Sequence, residues 1–106
     1  MSDVREHTVP LRISEDHPAL PGHFPGAPLV PGVVLLDCVL SCAEQWLGRS
    51  LSLEALPQTK FIAPLLPGQT AQLHLQMRNN ELRFTIAADS TTLAQGLMQL
   101  AQERLS

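Results

Sequence analysis

Val33-Val34-Leu35-Leu36-Asp37-Cys38-Val39-Leu40-Ser41-Cys42-Ala43-Glu44-Gln45-Trp46-Leu47 is the stretch on which the fold turns. It reads as one α-helix. Pro31 stands near its start, where a fixed φ suits the first turn, and Gly48 stands just past its end. At ~1.5 Å per residue the helix is ~22 Å long. Most of its circumference is apolar, which predicts burial on nearly all sides. The polar exceptions fall together, with Asp37, Ser41 and Glu44 at i, i+4 and i+7 and Gln45 at the margin. A single polar stripe therefore runs down a helix that the rest of the protein wraps.

Immediately upstream, residues 18–32 hold five prolines and three glycines. A flexible linker of that composition is usually polar, whereas this one carries Leu20, Phe24, Leu29 and Val30. The balance favours a packed functional loop over a linker. Before it, residues 8–13 alternate, with Val9, Leu11 and Ile13 on one face; Pro10 puts part of this strand at an edge or bulge.

Downstream the pattern is strand-like. Residues 51–63 contain an extended run ending at Lys60-Phe61-Ile62-Ala63, followed by the turn-rich Pro64-Leu65-Leu66-Pro67-Gly68. Residues 70–78 set Ala71, Leu73, Leu75 and Met77 opposite Gln72, His74, Gln76 and Arg78. Asn79-Asn80 suits a tight hairpin, because asparagine tolerates positive φ. Leu82, Phe84, Ile86 and Ala88 continue the inward face, and residues 92–100 read as a last strand, with a helix as the alternative because of Gly96. The expected architecture is a single α+β domain over residues 1–106. In it a curved antiparallel sheet of about five strands wraps one central helix, the layout of a hot-dog fold.

Composition narrows the function. A chain of 106 residues with 44% hydrophobic and 16% charged residues is long enough for a real core. The net charge of −3 argues against nucleic acid as a partner, since polyphosphate needs a concentrated positive field. The most apolar segment, residues 29–43, is broken by Pro31, Gly32 and Asp37 and is too short to span a bilayer. The first residues lack the apolar core of a signal peptide, so the expected location is cytoplasmic. Cys38 and Cys42 are badly spaced for an unstrained disulfide and read as core residues. His7, His17, His23 and His74 form no metal-ligand spacing, and no metal site is expected. Trp46 reads as a core aromatic closing the helix end.

Three features carry candidate chemistry. His23 stands in the stiff loop, and its plain reading is a ring hydrogen-bonded to backbone. Asp37 lies one to two turns into the apolar helix. Either its stripe faces solvent or a partner subunit, or desolvation keeps part of its carboxyl protonated and able to donate. The helix start at Pro31-Gly32-Val33 offers N–H groups without intrahelical acceptors at the positive end of the helix dipole. Gly32 either permits a tight turn or leaves that end open to an oxygen gaining negative charge.

The run Gly22-His23-Phe24-Pro25-Gly26, with Pro28, Pro31-Gly32-Val33 and the acid at Asp37, resembles the active-site segment of the β-hydroxyacyl-acyl-carrier-protein dehydratases, the FabZ/FabA-like hot-dog enzymes. The interval between His23 and Asp37 is the family's, and aspartate is the acid in one of its branches. Residues 60–68 resemble the family's strand and turn leading to a Pro-Gly. The resemblance implies dehydration of a 3-hydroxyacyl thioester to a trans-2-enoyl thioester, with no metal or redox cofactor. His23 would then be the general base and Asp37 the acid assisting departure of the β-hydroxyl. The Gly32 N–H would polarise the thioester carbonyl, with Phe24, Pro31 and Val33 beside it in the substrate site.

The resemblance further implies a substrate carried on acyl-carrier protein or coenzyme A and a homodimer, or an oligomer of dimers, with His23 and Asp37 contributed by opposite subunits. Many relatives have glutamine one turn after the acid, where this chain has Ser41. A hot-dog acyl thioesterase and a non-catalytic acyl-thioester-binding subunit are the competing readings. An acidic carrier needs a local positive patch, for which Arg49, Lys60, Arg78 and Arg83 are available.

Overall fold

The apolar stretch forms its helix over Gly32–Leu47, here α1. The structure, a computed structural model, describes residues 4–14 and 30–101. Five strands accompany α1: β1 (Arg5–Arg12), β2 (Leu53–Phe61), β3 (Thr70–Arg78), β4 (Glu81–Ala88) and β5 (Thr91–Leu100). They make one sheet in the order β1-β3-β4-β5-β2, with every neighbouring pair antiparallel. This is the hot-dog arrangement. The segment at Thr91–Leu100 is a strand, so Gly96 does not convert it to helix. No helix of the described residues is long and apolar enough to cross a membrane.

Alternation positions the core. Ala71, Leu73, Leu75 and Met77 of β3 and Leu82, Phe84, Ile86 and Ala88 of β4 are all buried, facing the same way as Ala94, Met98 and Leu100 of β5. α1 joins them through Val34, Leu35, Val39 and Ala43. Burying such side chains contributes about 1.5–3 kcal/mol each for the larger ones. The β3–β4 hairpin closes Arg78 onto Glu81, with Asn79 at φ 55°. At Gly96 an added Cβ would lie 2.6 Å from the Gln58 carbonyl oxygen and 2.8 Å from Phe84 Cζ. The glycine is what lets β2 and the Phe84 ring approach so closely.

Burial on nearly all sides is not found for α1. Its sheet-facing stripe is buried, whereas Val33, Asp37, Ser41 and Gln45, spaced by one turn, are exposed. One sheet has one inner face, and among the described residues no second layer lies on the far side of the helix. Glu44 leaves the predicted polar stripe. It is half-buried, its carboxylate accepts the Leu51 N–H at 2.8 Å, and its carbonyl accepts the Gly48 N–H at 2.8 Å. Gly48 does this at φ 72°, a left-handed cap that glycine adopts without a Cβ penalty.

Trp46 is likewise half-buried rather than core. His7 of β1 stacks on it, with centroids 5.3 Å apart and planes 10° apart, and the Arg5 guanidinium carbon lies 5.7 Å from the ring. β1 begins at Arg5, ahead of the apolar alternation that marks it in the sequence, because its ladder with β3 runs on to pair Arg5 with Met77.

On the opposite face β1 is clipped to β3. His74 Nδ1 pairs with the Thr8 hydroxyl at 2.7 Å and its Nε2 with the Glu6 carboxylate at 3.0 Å, to which Gln76 Nε2 also donates at 3.0 Å. The hydrogen bond from Gln76 and then that from His74 hold the Glu6 carboxyl below its usual range. A depressed carboxyl contributes stability above its unfolded pKa of about 4.3 and loses it as pH falls through the lower folded value. The melting-temperature difference between wild type and Glu6→Gln is therefore expected to be present at neutral pH and to shrink below about pH 4. A difference that stays constant down to acid pH would show that the charge of Glu6 takes no part.

Candidate active site

The site is built where α1 begins. Pro31 is the N-cap in extended backbone (φ −61°, ψ 146°) and offers no side-chain cap, and no acidic residue sits in the first turn. The Pro31 carbonyl accepts the Val34 and Leu35 N–H groups at 3.0 and 3.2 Å. The N–H groups of Gly32 and Val33 have no acceptor from the first turn's own side chains, which leaves donors at the positive end of the helix. Val30 ties this corner to the segment after β2 by donating its N–H to the Leu65 carbonyl at 3.0 Å.

Beside the helix start lies an open depression of about 380 Å³ between Val30, Pro31, Gly32 and Leu35 on one side and residues 61–65 on the other. Its walls are almost entirely apolar. Val33, Phe61, Ile62 and Leu66 expose between 48% and 66% of their surface around this end of the molecule. A polarising helix end next to an apolar trough suits a ligand with one reactive carbonyl and a hydrocarbon tail.

The space in front of Gly32 is not empty, as an open glycine would have it. The tip of the Phe61 ring fills it, so that an added Cβ would lie 2.7 Å from Cζ and 3.1 Å from each Cε. Sequence reasoning gave Phe61 no role. Its signal was modest: an aromatic at the last position of a strand, entering a proline-rich turn.

Asp37 stands on the exposed row of α1, one turn beyond Val33. The apolar sequence around Asp37 implies burial, and the structure has the residue exposed. Of the predicted site residues, Pro31, Gly32, Val33 and Asp37 share the first two turns of α1; His23 and Phe24 lie outside the described residues. Cys38 and Cys42 flank the row as free, half-buried thiols. Burial raises both pKa values, for Cys38 with further contributions from Cys42 and Asp37, so both remain thiols at neutral pH. Among the described residues no cluster of three or more His, Cys, Asp or Glu side chains could hold a metal ion.

The cations have a clearer place than in the sequence. Lys60 and Arg83 line one depression of about 540 Å³ with Gln58, Thr85 and Gln95; Arg78 and Arg83 line a second of about 200 Å³ with Gln76 and Glu81. The strand registers put Lys60, Arg78 and Arg83 on the outer face of the sheet, opposite the core.

Comparison with known proteins agrees with this geometry. The model of a family described as ApeI-like, ApeI dehydratase, matches residues 1–97. A solved structure of the dehydratase heterocomplex ApeI:P from Xenorhabdus doucetiae superposes with a TM-score of 0.82 at 31% identity, covering 92% of this chain and 88% of that one. An uncharacterised protein from Erwinia carotovora subsp. atroseptica superposes with a TM-score of 0.80 at 28% identity, covering 95% and 86%. The 3-hydroxyacyl-(acyl-carrier-protein) dehydratase FabZ of Lactiplantibacillus plantarum is 35% identical over 63 residues, which are 53% of this chain and 43% of that protein. The chain thus spans about half the length of the curated relatives it matches. With the family match running from residue 1 to residue 97 and a fold shared almost end to end with ApeI:P, the chain belongs to the ApeI-like dehydratases, within the FabZ/FabA-like hot-dog family.

Proposed function

We propose that this chain dehydrates a 3-hydroxyacyl thioester, carried on acyl-carrier protein or coenzyme A, to the trans-2-enoyl thioester in fatty-acid or polyene-type lipid synthesis. The observation that carries the reading is the family match over residues 1–97, which takes in His23, Gly32 and Asp37 together. The geometry of α1 supports it: no side chain of the described residues caps its first N–H groups, an apolar trough lies beside them, and a carboxylate stands one turn beyond Val33.

In this mechanism His23 removes the α-proton, and charge gathers on the thioester carbonyl oxygen against the Gly32 N–H and the helix dipole. The electron pair then forms the α,β double bond as the β-hydroxyl departs. Asp37 gives that hydroxyl a proton, so the products are enoyl thioester and water. The proton held by His23 returns to Asp37 through solvent, and neither residue is consumed. Pro31, Val33 and Phe24 line the path of the acyl group. A hydrophobic cover over the exposed row of α1 is what the chemistry at Asp37 asks for, since desolvation is what favours a protonated carboxyl.

A second protomer is the cover proposed, with His23 of one chain serving Asp37 of the other. Val33 at the head of the exposed row, and a chain similar to a member of a solved heterocomplex, both support an assembly of two chains. Lys60, Arg78 and Arg83, which share the outer face of the sheet with Glu6 and Glu81, are the cations proposed to meet an acidic carrier. The proposed setting is the cytoplasm.

The test is incubation with 3-hydroxyacyl and saturated acyl thioesters on carrier protein and on coenzyme A. Enoyl thioester formed without thiol release is the expected result. Thiol release without enoyl product makes the chain a thioesterase, and neither product makes it an acyl-binding subunit.

A further inference from the structure

We infer that the outer face of the sheet holds a second ligand site, a depression over β2, β5 and β4 that takes a phosphate monoester borne by a small hydroxylated molecule. It lies on the side of the sheet away from α1, so the inference stands apart from the thioester reading.

The strand registers build the site. One row crosses the three strands as Lys60, Gln95 and Thr85, and another, two residues along, as Gln58, Leu97 and Arg83. Lys60 and Arg83 therefore stand at opposite corners, two strand spacings and two residues apart, with ~12 Å between their backbones. Both line an open depression of about 540 Å³, together with Gln58, Thr85 and Gln95. Between the two rows lies the inward-facing row of Thr59, Gly96 and Phe84, whose backbone forms the floor. The β2 ladder slips just before Gln58, and a slip bends a strand; Pro57, at that slip, lies on the rim.

The side chains of this depression are unspent. On the β1–β3 half of the same face, Glu6, Thr8, His74 and Gln76 bond to one another. Among the described residues, Lys60, Arg83, Gln58, Thr85 and Gln95 make no side-chain hydrogen bond or ion pair. No Asp or Glu lines the depression. Glu81 lines the neighbouring one and forms no ion pair with Arg83.

The chemistry of the lining names the ligand. Two cations with no acid between them suit an anion of about two charges, which a phosphate monoester carries at neutral pH. The Arg83 fork matches two phosphate oxygens, and the Lys60 ammonium adds a point charge. Two amides and a hydroxyl both give and accept hydrogen bonds, as the hydroxyl groups of the ligand require. A nucleobase has nothing to stack on, because Phe84, the one ring in the lining, is 1% exposed. The volume is that of a small-molecule site and leaves room for more than a bare phosphate. An acidic carrier that met Lys60 and Arg83 would compete with this ligand.

The experiment titrates the full chain with glucose 6-phosphate, glycerol 3-phosphate, inorganic phosphate and glucose at fixed ionic strength. Calorimetry gives affinity and backbone NMR gives location. Both esters are expected to bind more tightly than inorganic phosphate, and glucose not to bind. Shifts should centre on Gln58, Lys60, Arg83, Thr85 and Gln95. Lys60→Gln and Arg83→Gln should each weaken the esters about tenfold, the low end for a hydrogen bond to a charged group. Arg78→Gln, outside the depression, should change them by no more than about twofold, since screened charges act weakly at a distance. Absence of ester binding, shifts centred elsewhere, or equal weakening by all three variants overturns the inference. Inorganic phosphate binding as tightly as the esters makes the depression a place for an adventitious ion only, and overturns it too. Binding is read without turnover, so the result is independent of whether the chain is a dehydratase.

Discussion

Asp37→Asn is expected to lower kcat for dehydration by about 10²–10⁴-fold, the usual contribution of a positioned general acid. The amide keeps the size of the carboxyl and its place on the exposed row of α1 but has no proton to give. Asp37 is exposed in the single chain, so the stability of the protomer's own fold should move by no more than about 0.5 kcal/mol. His23→Ala should fall as far, and the double variant little further, since an acid and a base that act in one step are not additive. Mixing the two single variants is the sharper measurement. If each site takes His23 from one chain and Asp37 from the other, random two-fold dimers restore about one-quarter of the wild-type rate. No recovery means that both groups come from one chain. Activity of Asp37→Asn within threefold of wild type would remove the acid from the mechanism altogether.

Phe84→Ala is expected to destabilise the fold by about 3–5 kcal/mol, measured by denaturant unfolding. Phe84 is 1% exposed and lies directly opposite Gly96, with its Cζ and Cε1 atoms 2.8 and 2.9 Å from where a glycine Cβ would be. Truncation opens a void above a residue that has no side chain to fill it, and the surrounding strands are fixed by their ladders. Against a total stability of about 5–15 kcal/mol, that loss is a large fraction. The same truncation at the half-exposed Phe61 serves as the comparison and should have well under half the effect. Equal losses at the two positions would mean that Phe84 is not the keystone of the inner face.

The parts legible in the sequence are those set by local pattern. Alternation placed every inward residue of β3 and β4, because a strand with one buried face has a period of two and tolerates no slip. Proline and glycine marked both ends of α1 to within a residue. Pro10 marked part of β1 as an edge or a bulge, and β1 is an edge strand. The less legible parts depend on what the chain's distant segments do to one another. Apolar residues around most of a helix do not say whether its cover comes from the same chain, and here Val33 and Asp37 are exposed. Glu44 has the spacing of a stripe residue, yet the Leu51 N–H draws it into the turn. The meeting of Phe61 with Gly32 joins positions far apart in sequence, through a strand order that only the folded sheet reveals. The same order carries Lys60 to the face shared by Arg78 and Arg83.

The registers divide the sheet into two unlike halves. β1, β3 and β4 pair without a slip, whereas the β4–β5 ladder shifts between Ile86 and Ala87 and the β2–β5 ladder shifts twice, around Ala55. Irregular pairing gives up ladder bonds and adds twist. The regular half is therefore a keel whose inward positions alternate without interruption. The irregular half ends at Phe61 and borders the trough. Changes along β2 therefore reshape the wall of the trough and leave the keel as it is.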